Sequence, residues 1–162
     1  MKKQRIIPEA DFMHQAINEA FRNCTQLRGG PFGAAIVRNG KLLAKARNSV
    51  LVHDATAHAE MNAIRLASRK MKTFDLSGCI IYSTTEPCPM CFSAIHWARI
   101  DAVIFGTSTE DAQKAGFHEL LIDDKTLQRL GKSTVQLFPG FMRQECNELF
   151  EVWQKLPGRK YY

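Results

Sequence analysis

The order of apolar and polar positions divides the chain into stretches of helical period and short strand-like runs. From Pro8 to about Gln26, apolar residues at Phe12, Ala16, Ile17, Ala20 and Phe21 follow the helical repeat, which predicts an amphipathic first helix. Gly29-Gly30-Pro31 breaks it, and Phe32-Gly33 leads into the apolar run Ala34 to Val37, a predicted strand. Asn39-Gly40 tolerates positive φ at both central positions of a tight turn, so Lys41 to Ala46 is expected to return as the partner strand of a hairpin. Arg47 to Ala57 is polar and irregular, a loop expected to bring Asn48 to the edge of a site.

Ala57 to about Lys70 is a helix by composition, with Thr56 as its candidate cap. Cys79 to Ser83 is a β-rich run feeding a helix that runs from Cys88 through Trp97, and Ala102 to Phe105 is a further strand ended by Gly106. The order strand, helix, strand is a crossover unit and predicts locally parallel pairing. Ser108 to Ala115 and Asp123 to Leu130 read as helices, Thr134 to Phe138 as a last strand and Met142 to Lys155 as a closing amphipathic helix. The predicted class is α/β, a three-layer α/β/α sandwich with helices on both faces of a mixed five-stranded sheet. No internal repeat or low-complexity segment interrupts it, so residues 1–162 are read as a single domain.

Composition adds limits. At 162 residues and 45% hydrophobic, the chain can bury a core without disulfide or metal staples. Met1-Lys2-Lys3-Gln4-Arg5 is not followed by the apolar region of a secretory signal, and no run of about 18 apolar residues could span a bilayer. A cytoplasmic location with no membrane partner is expected. Three of the five cysteines, Cys24, Cys79 and Cys146, are expected to be buried thiols. The net charge of +6 permits an anionic partner such as RNA, but the basic residues are scattered along the chain, with small clusters at the two ends, and read as a solvated surface.

The chemistry concentrates in two short motifs thirty residues apart, His58-Ala59-Glu60 and Glu86-Pro87-Cys88-Pro89-Met90-Cys91. Two thiolates and an imidazole fill three corners of the tetrahedron zinc prefers and leave the fourth for water. Cys88 and Cys91, three apart on a first helical turn, direct both sulfurs to one point, and the flanking prolines suit a helix start. The positive end of that helix favours the deprotonated thiol. Residues two apart on a helix face different ways, so His58 is the expected ligand and Glu60 the expected general base. His53 is a weaker candidate for a fourth ligand, which a purely structural zinc site would require.

The conjunction of H-x-E with P-C-x-x-C resembles the signature of zinc-dependent nucleobase deaminases, in which the Glu is not a ligand. The chain is similar to the cytidine deaminase-like superfamily, and more narrowly to small bacterial guanine deaminases. Besides the two zinc motifs, the resemblance is carried by Gly29-Gly30-Pro31-Phe32-Gly33-Ala34, Ala94-Ile95-His96-Trp97-Ala98-Arg99 and Ala115-Gly116-Phe117. It implies one zinc per subunit and hydrolysis of guanine to xanthine and ammonia. By the same analogy Glu119 reads the base edge and shuttles a proton to the leaving amine. Asn48 hydrogen-bonds the purine, Phe32, Ala59 and Trp97 contribute substrate contacts, and Tyr162 closes the pocket, across a homodimer with an exchanged tail. Ala55 and Glu119 stand where some relatives have Pro and Asp. Alternatives are a tRNA-specific adenosine deaminase, a deaminase of guanosine or another aminated heterocycle, and a nucleic-acid binding module without activity. The acidic residues Glu145, Glu148 and Glu151 on the last helix weigh against RNA.

Overall fold

The computed structural model describes residues 6–162; the N-terminal segment in which a signal was sought lies outside them. Eleven elements follow in order: α1 (Ala10–Gln26), β1 (Gly33–Arg38), β2 (Lys41–Arg47), α2 (Ala59–Met71), β3 (Cys79–Thr85), α3 (Pro89–Trp97), β4 (Ala102–Thr107), α4 (Thr109–Lys114), α5 (Asp124–Leu130), β5 (Gln136–Phe138) and α6 (Arg143–Lys155). The five strands form one mixed sheet in the order β2-β1-β3-β4-β5. β1 is antiparallel to both β2 and β3, whereas β3, β4 and β5 are parallel, as the crossover through α3 requires. The β1–β2 hairpin turns on Asn39 (φ 51°) and Gly40 (φ 66°), as the Asn-Gly pair predicts.

Alternate residues of each central strand feed opposite faces, so these strands read as unbroken apolar runs. Ala34, Ile36, Ile81 and Val103 pack against Ala63 and Ala67 of α2 and Phe92 and Ile95 of α3. Ala35, Val37, Tyr82 and Ile104 pack against Met13, Ile17 and Ala20 of α1 and Leu149 of α6. The three layers are therefore α1/α6, sheet, and α2/α3. No helix among the described residues is long and apolar enough to cross a membrane.

Two boundaries differ from the sequence expectation. Gly106 does not end β4, which runs on to Thr107; a glycine is needed there because a Cβ would collide with the Cys146 side chain of α6. Thr56 does not cap α2, because its N–H and hydroxyl both turn back to Asp54 Oδ1 (2.7 and 2.6 Å), and the helix starts at Ala59 with His58 in the N-cap position.

Candidate active site and metal centre

Two helix starts meet at the ends of the central strands. His58 and Cys88 occupy the N-cap positions of α2 and α3, each with extended backbone and no side-chain cap bond, so both side chains are free to point away from their helices. Pro89 fills the first helical position of α3, where its missing N–H costs nothing. The Nδ1 or Nε2 of His58 and the sulfurs of Cys88 and Cys91 lie within 4.8 Å of one another. A tetrahedral ion with Zn–N near 2.0 Å and Zn–S near 2.3 Å separates those donors by about 3.5 Å. The observed distance from Cys88 Sγ to His58 Nδ1 is 3.6 Å. The donor set and its span therefore fit zinc. The Cys91 thiol and His58 hold the Cys88 thiol down to about 4, so a ligand thiolate is ready at neutral pH. His53 is not part of this cluster and pairs through Nδ1 with Ser49 Oγ at 3.0 Å.

Glu60, on the first turn of α2, is buried beside the metal centre; desolvation raises its pKa. The Ser83 hydroxyl lies 2.7 Å from Glu60 Oε1 and 2.6 Å from the Thr85 carbonyl, while the Cys91 sulfur lies 3.5 Å from Oε2. A hydroxyl has one proton for those two acceptors. Ser83 donates to Glu60 when the carboxylate is ionised; when Glu60 is protonated, its own O–H can donate to Ser83, which turns to Thr85. Neither Ser83 nor Glu86, though the latter opens the second zinc motif, was given a role of its own from the sequence. The signal available was the polar run Ser83-Thr84-Thr85-Glu86 closing a buried strand, where each polar group must find a partner.

The Glu86 carboxylate accepts from Asp124 N (2.9 Å) and Thr109 N (3.3 Å), the first residues of α5 and α4. Helix N-termini favour such an anion. This clamp ties the start of α4 to the start of α5, and so anchors both ends of the 109–124 segment that carries Glu119 to the site. Asp124 itself is fully buried, among the described residues both its carboxylate oxygens are unpartnered, and burial followed by the nearby Glu86 pushes it up to about 9.

A small cavity of about 30 Å³ joins these groups, bounded by Phe32, Asn48, His58, Glu60, Thr85, Glu86, Cys88, Glu119 and Tyr162. Burial, and next the Cys88 thiolate, pushes the Glu119 carboxyl up to about 7. Asn48 Oδ1 accepts from Val50 N (3.0 Å) in a local turn, and among the described residues its Nδ2 has no protein acceptor. Phe32 packs edge-on to Phe117 with centroids 4.8 Å apart. Tyr162 roofs the cavity from its own chain: its hydroxyl accepts from Gly30 N (2.8 Å), its carbonyl accepts from His118 N (3.1 Å), and burial raises its phenol pKa. Within this single chain the tail lies on the chain's own site.

Two expected contacts are not brought to this cavity. Trp97 ends α3 at the far end from Cys88 and is 74% exposed. Ala59 turns its methyl into the core beneath the site; of Ala59, only the backbone N–H at the helix start is left without an intrahelical partner.

Comparison with known proteins agrees with this geometry. Residues 8–107 match the model of the cytidine and deoxycytidylate deaminase zinc-binding region. The chain is 35% identical over 152 residues to guanine deaminase of Bacillus subtilis, covering 93% of this chain and 97% of that one. It is 42% identical over 149 residues to a tRNA-specific adenosine deaminase of Aquifex aeolicus, covering 90% and 93%. A solved protein in complex with 2,6-diaminopurine superposes with a TM-score of 0.82 at 26% identity, covering 98% of this chain and 88% of that one.

Proposed function

The chain belongs to the cytidine and deoxycytidylate deaminase zinc-binding family and is a zinc-binding deaminase, and we propose that its substrate is the free base guanine, converted with water to xanthine and ammonia. The observation that carries this reading is Glu119, a carboxyl facing the same small cavity as His58, Cys88 and Glu60. An ionised carboxylate only accepts hydrogen bonds, and guanine presents adjacent donors, N1–H and the 2-amino group, where adenine has a ring nitrogen that also only accepts. The similarity to a guanine deaminase and to a protein that binds a purine with a 2-amino group supports the same choice.

His58, Cys88 and Cys91 would hold the zinc, which would acidify a bound water towards neutrality. Glu60 takes up the proton released there and delivers it to the ring nitrogen beside the attacked carbon, with Ser83 holding the carboxylate in place. Glu119, ionised when it accepts from the base, would take up the proton of the new hydroxyl on the attacked carbon and pass it to the departing amine; a carboxyl near 7 is matched to taking and giving a proton at neutral pH. Asn48 Nδ2 donates to an acceptor of the base, and Phe32 and Tyr162 exclude bulk water. The roofed cavity has room for a water or two and none for a bicyclic base, so the Tyr162 tail must lift for entry and reseal over the substrate.

A second reading, adenosine in tRNA, is favoured by the similarity to the Aquifex aeolicus protein. Ammonia release from zinc-loaded protein with guanine, guanosine, adenine, cytosine, cytidine and unmodified tRNA separates the readings. Guanine turnover that is lost in Glu60→Gln with zinc retained is the expected result. Turnover of tRNA and not of free bases would replace guanine, and near-normal activity of Glu60→Gln would remove that residue from the mechanism.

A further inference from the structure

The basic residues that look scattered in the sequence are gathered by the fold. Arg22 of α1, Arg28 of the α1–β1 connection, Lys45 and Arg47 of β2, and Arg65 and Arg69 of α2 line one open groove of about 500 Å³. Glu19 is the only carboxylate among the described residues lining it. It is buried and bridges Arg47 (3.1 Å), Arg22 (3.3 Å) and Lys45 (3.6 Å), fixing three of the cations in place while neutralising the charge of one. Arg65 is oriented by the neutral Thr56 Oγ1 (2.9 Å) and Asn62 Oδ1 (3.2 Å), with the Asp54 carboxylate behind Thr56, outside the groove lining. Arg28 and Arg69 are exposed, and among the described residues neither side chain has a hydrogen-bonding or ionic partner. Five positive charges in one groove repel one another and focus a field that attracts anions.

We infer that this groove binds the phosphodiester backbone of a single-stranded nucleic acid. Lysine on an exposed edge strand is a common guard against edge-to-edge pairing and accounts for Lys45. It does not account for Arg28, Arg65 and Arg69, which come from a loop and a helix. The cations come from four chain segments rather than converging on one point, which suits successive phosphates better than a single small anion. Five of the six are arginines, whose planar fork matches phosphate oxygens. No Phe, Tyr or Trp lines the groove among the described residues, and its one aromatic ring, His53, is held by Ser49 Oγ (3.0 Å), so the groove tracks the backbone rather than stacking successive bases. Its wall is shared with the deaminase cavity: Arg47 and Ser49 face the groove while Asn48 between them faces the cavity. A strand lying here passes next to a site built for a nucleobase, although the groove lies outside the Tyr162 roof and its occupancy does not depend on what that site turns over.

Fluorescence anisotropy of a labelled 12-nucleotide RNA against the full chain, from 50 to 200 mM KCl, tests this. Four phosphates neutralised on a single strand give a log–log slope of about −2.8, so the fourfold rise in salt weakens binding about 50-fold. The double variant Arg28→Glu/Arg69→Glu, altering two exposed side chains with no folded partner, is expected to weaken binding at least 10-fold at 50 mM KCl and to bring the slope towards about −1.4. Its guanine turnover, measured in parallel, is expected to stay at the parent level, so a failure of the groove and a failure of the guanine reading are separately visible. Absence of RNA binding at 50 mM KCl, binding unaffected by the double variant, or competition complete with equimolar inorganic pyrophosphate would each overturn the inference, the last in favour of a small-anion site.

Discussion

Replacing Ser83 by alanine isolates the contribution of one buried hydroxyl to proton transfer. Ser83 is 1% and Glu60 6% exposed, so neither group can recruit bulk water when its partner is lost. The 2.7 Å contact is a hydrogen bond to an ionised acceptor, a class that contributes about 1.5–3 kcal/mol. The other contact of Glu60, the Cys91 sulfur at 3.5 Å, is no substitute, because a cysteine that ligates metal has given up its proton. If the full loss falls on the positioned carboxylate, kcat drops by about 10- to 150-fold, at about 1.4 kcal/mol per decade. Zinc content and KM are expected to be unchanged, since Ser83 touches neither ligand nor base. The Ser83 hydrogen bond also lowers the pKa of Glu60 against the desolvation that raises it, so its removal raises that pKa further. A base must be ionised to act, and the acidic limb of the kcat profile therefore moves to higher pH. Steady-state ammonia release between pH 5 and 9, with zinc measured on the same samples, reads all of this. A kcat within threefold of the parent, with full zinc and an unmoved acidic limb, would refute the assignment of Ser83 as the residue that positions Glu60.

Other outcomes follow from the same geometry. Glu86→Ala removes the anion that fastens the starts of α4 and α5, and is expected to cost about 3 kcal/mol in denaturant unfolding and to raise KM more than it lowers zinc content; an unchanged KM would separate Glu86 from the placement of Glu119. Asp124, pushed up to about 9 in the fold against 3.8 for the free group, favours folding when protonated and costs stability increasingly as pH rises from about 4 to about 9. Asp124→Asn should therefore raise Tm, more at pH 8 than at pH 5, and a lower Tm at both would show the carboxylate to have a partner. In zinc-free protein at pH 6, Cys88, with its pKa near 4, should be alkylated by iodoacetamide ahead of Cys24, Cys79 and Cys146, whose thiols burial pushes up; zinc should protect it. Peptide mass spectrometry decides this, and equal labelling with and without zinc would sink it.

The reaction centre was legible because its determinants are local. A Cys-x-x-Cys on a helical turn and a His two residues before a Glu fix their own relative directions, and the prolines and turn residues mark where those turns begin. The strands were legible because burial on both faces leaves unbroken apolar runs. What a sequence position does not report is which end of an element faces a site. Trp97 lies in the stretch that carried the resemblance, yet α3 carries it away from the metal centre. Thr56 had the composition of a cap, but a closer acceptor at Asp54 took both of its donors. Ser83 and Glu86 act through partners far along the chain, Asp124 is buried by the fold rather than by its neighbours in sequence, and the basic groove is assembled from four segments, so none of them leaves a local pattern to read.

The Glu86 clamp also divides the molecule's inheritance. The residues that match the shared family model end at 107, on the near side of the clamp, with the zinc donors and Glu60; Glu119 and Tyr162 lie beyond it. One side chain thus couples the stretch that carries the metal donors to the stretch that brings Glu119 and Tyr162 to the cavity. On the proposed role of Glu119, drift in residues 108–162 would retune one wall of the cavity while the metal donors stay untouched, provided that a carboxylate at position 86 still meets the two helix starts. Chimeras that exchange this C-terminal third between deaminases of different preference would then carry specificity with them as a transferable part.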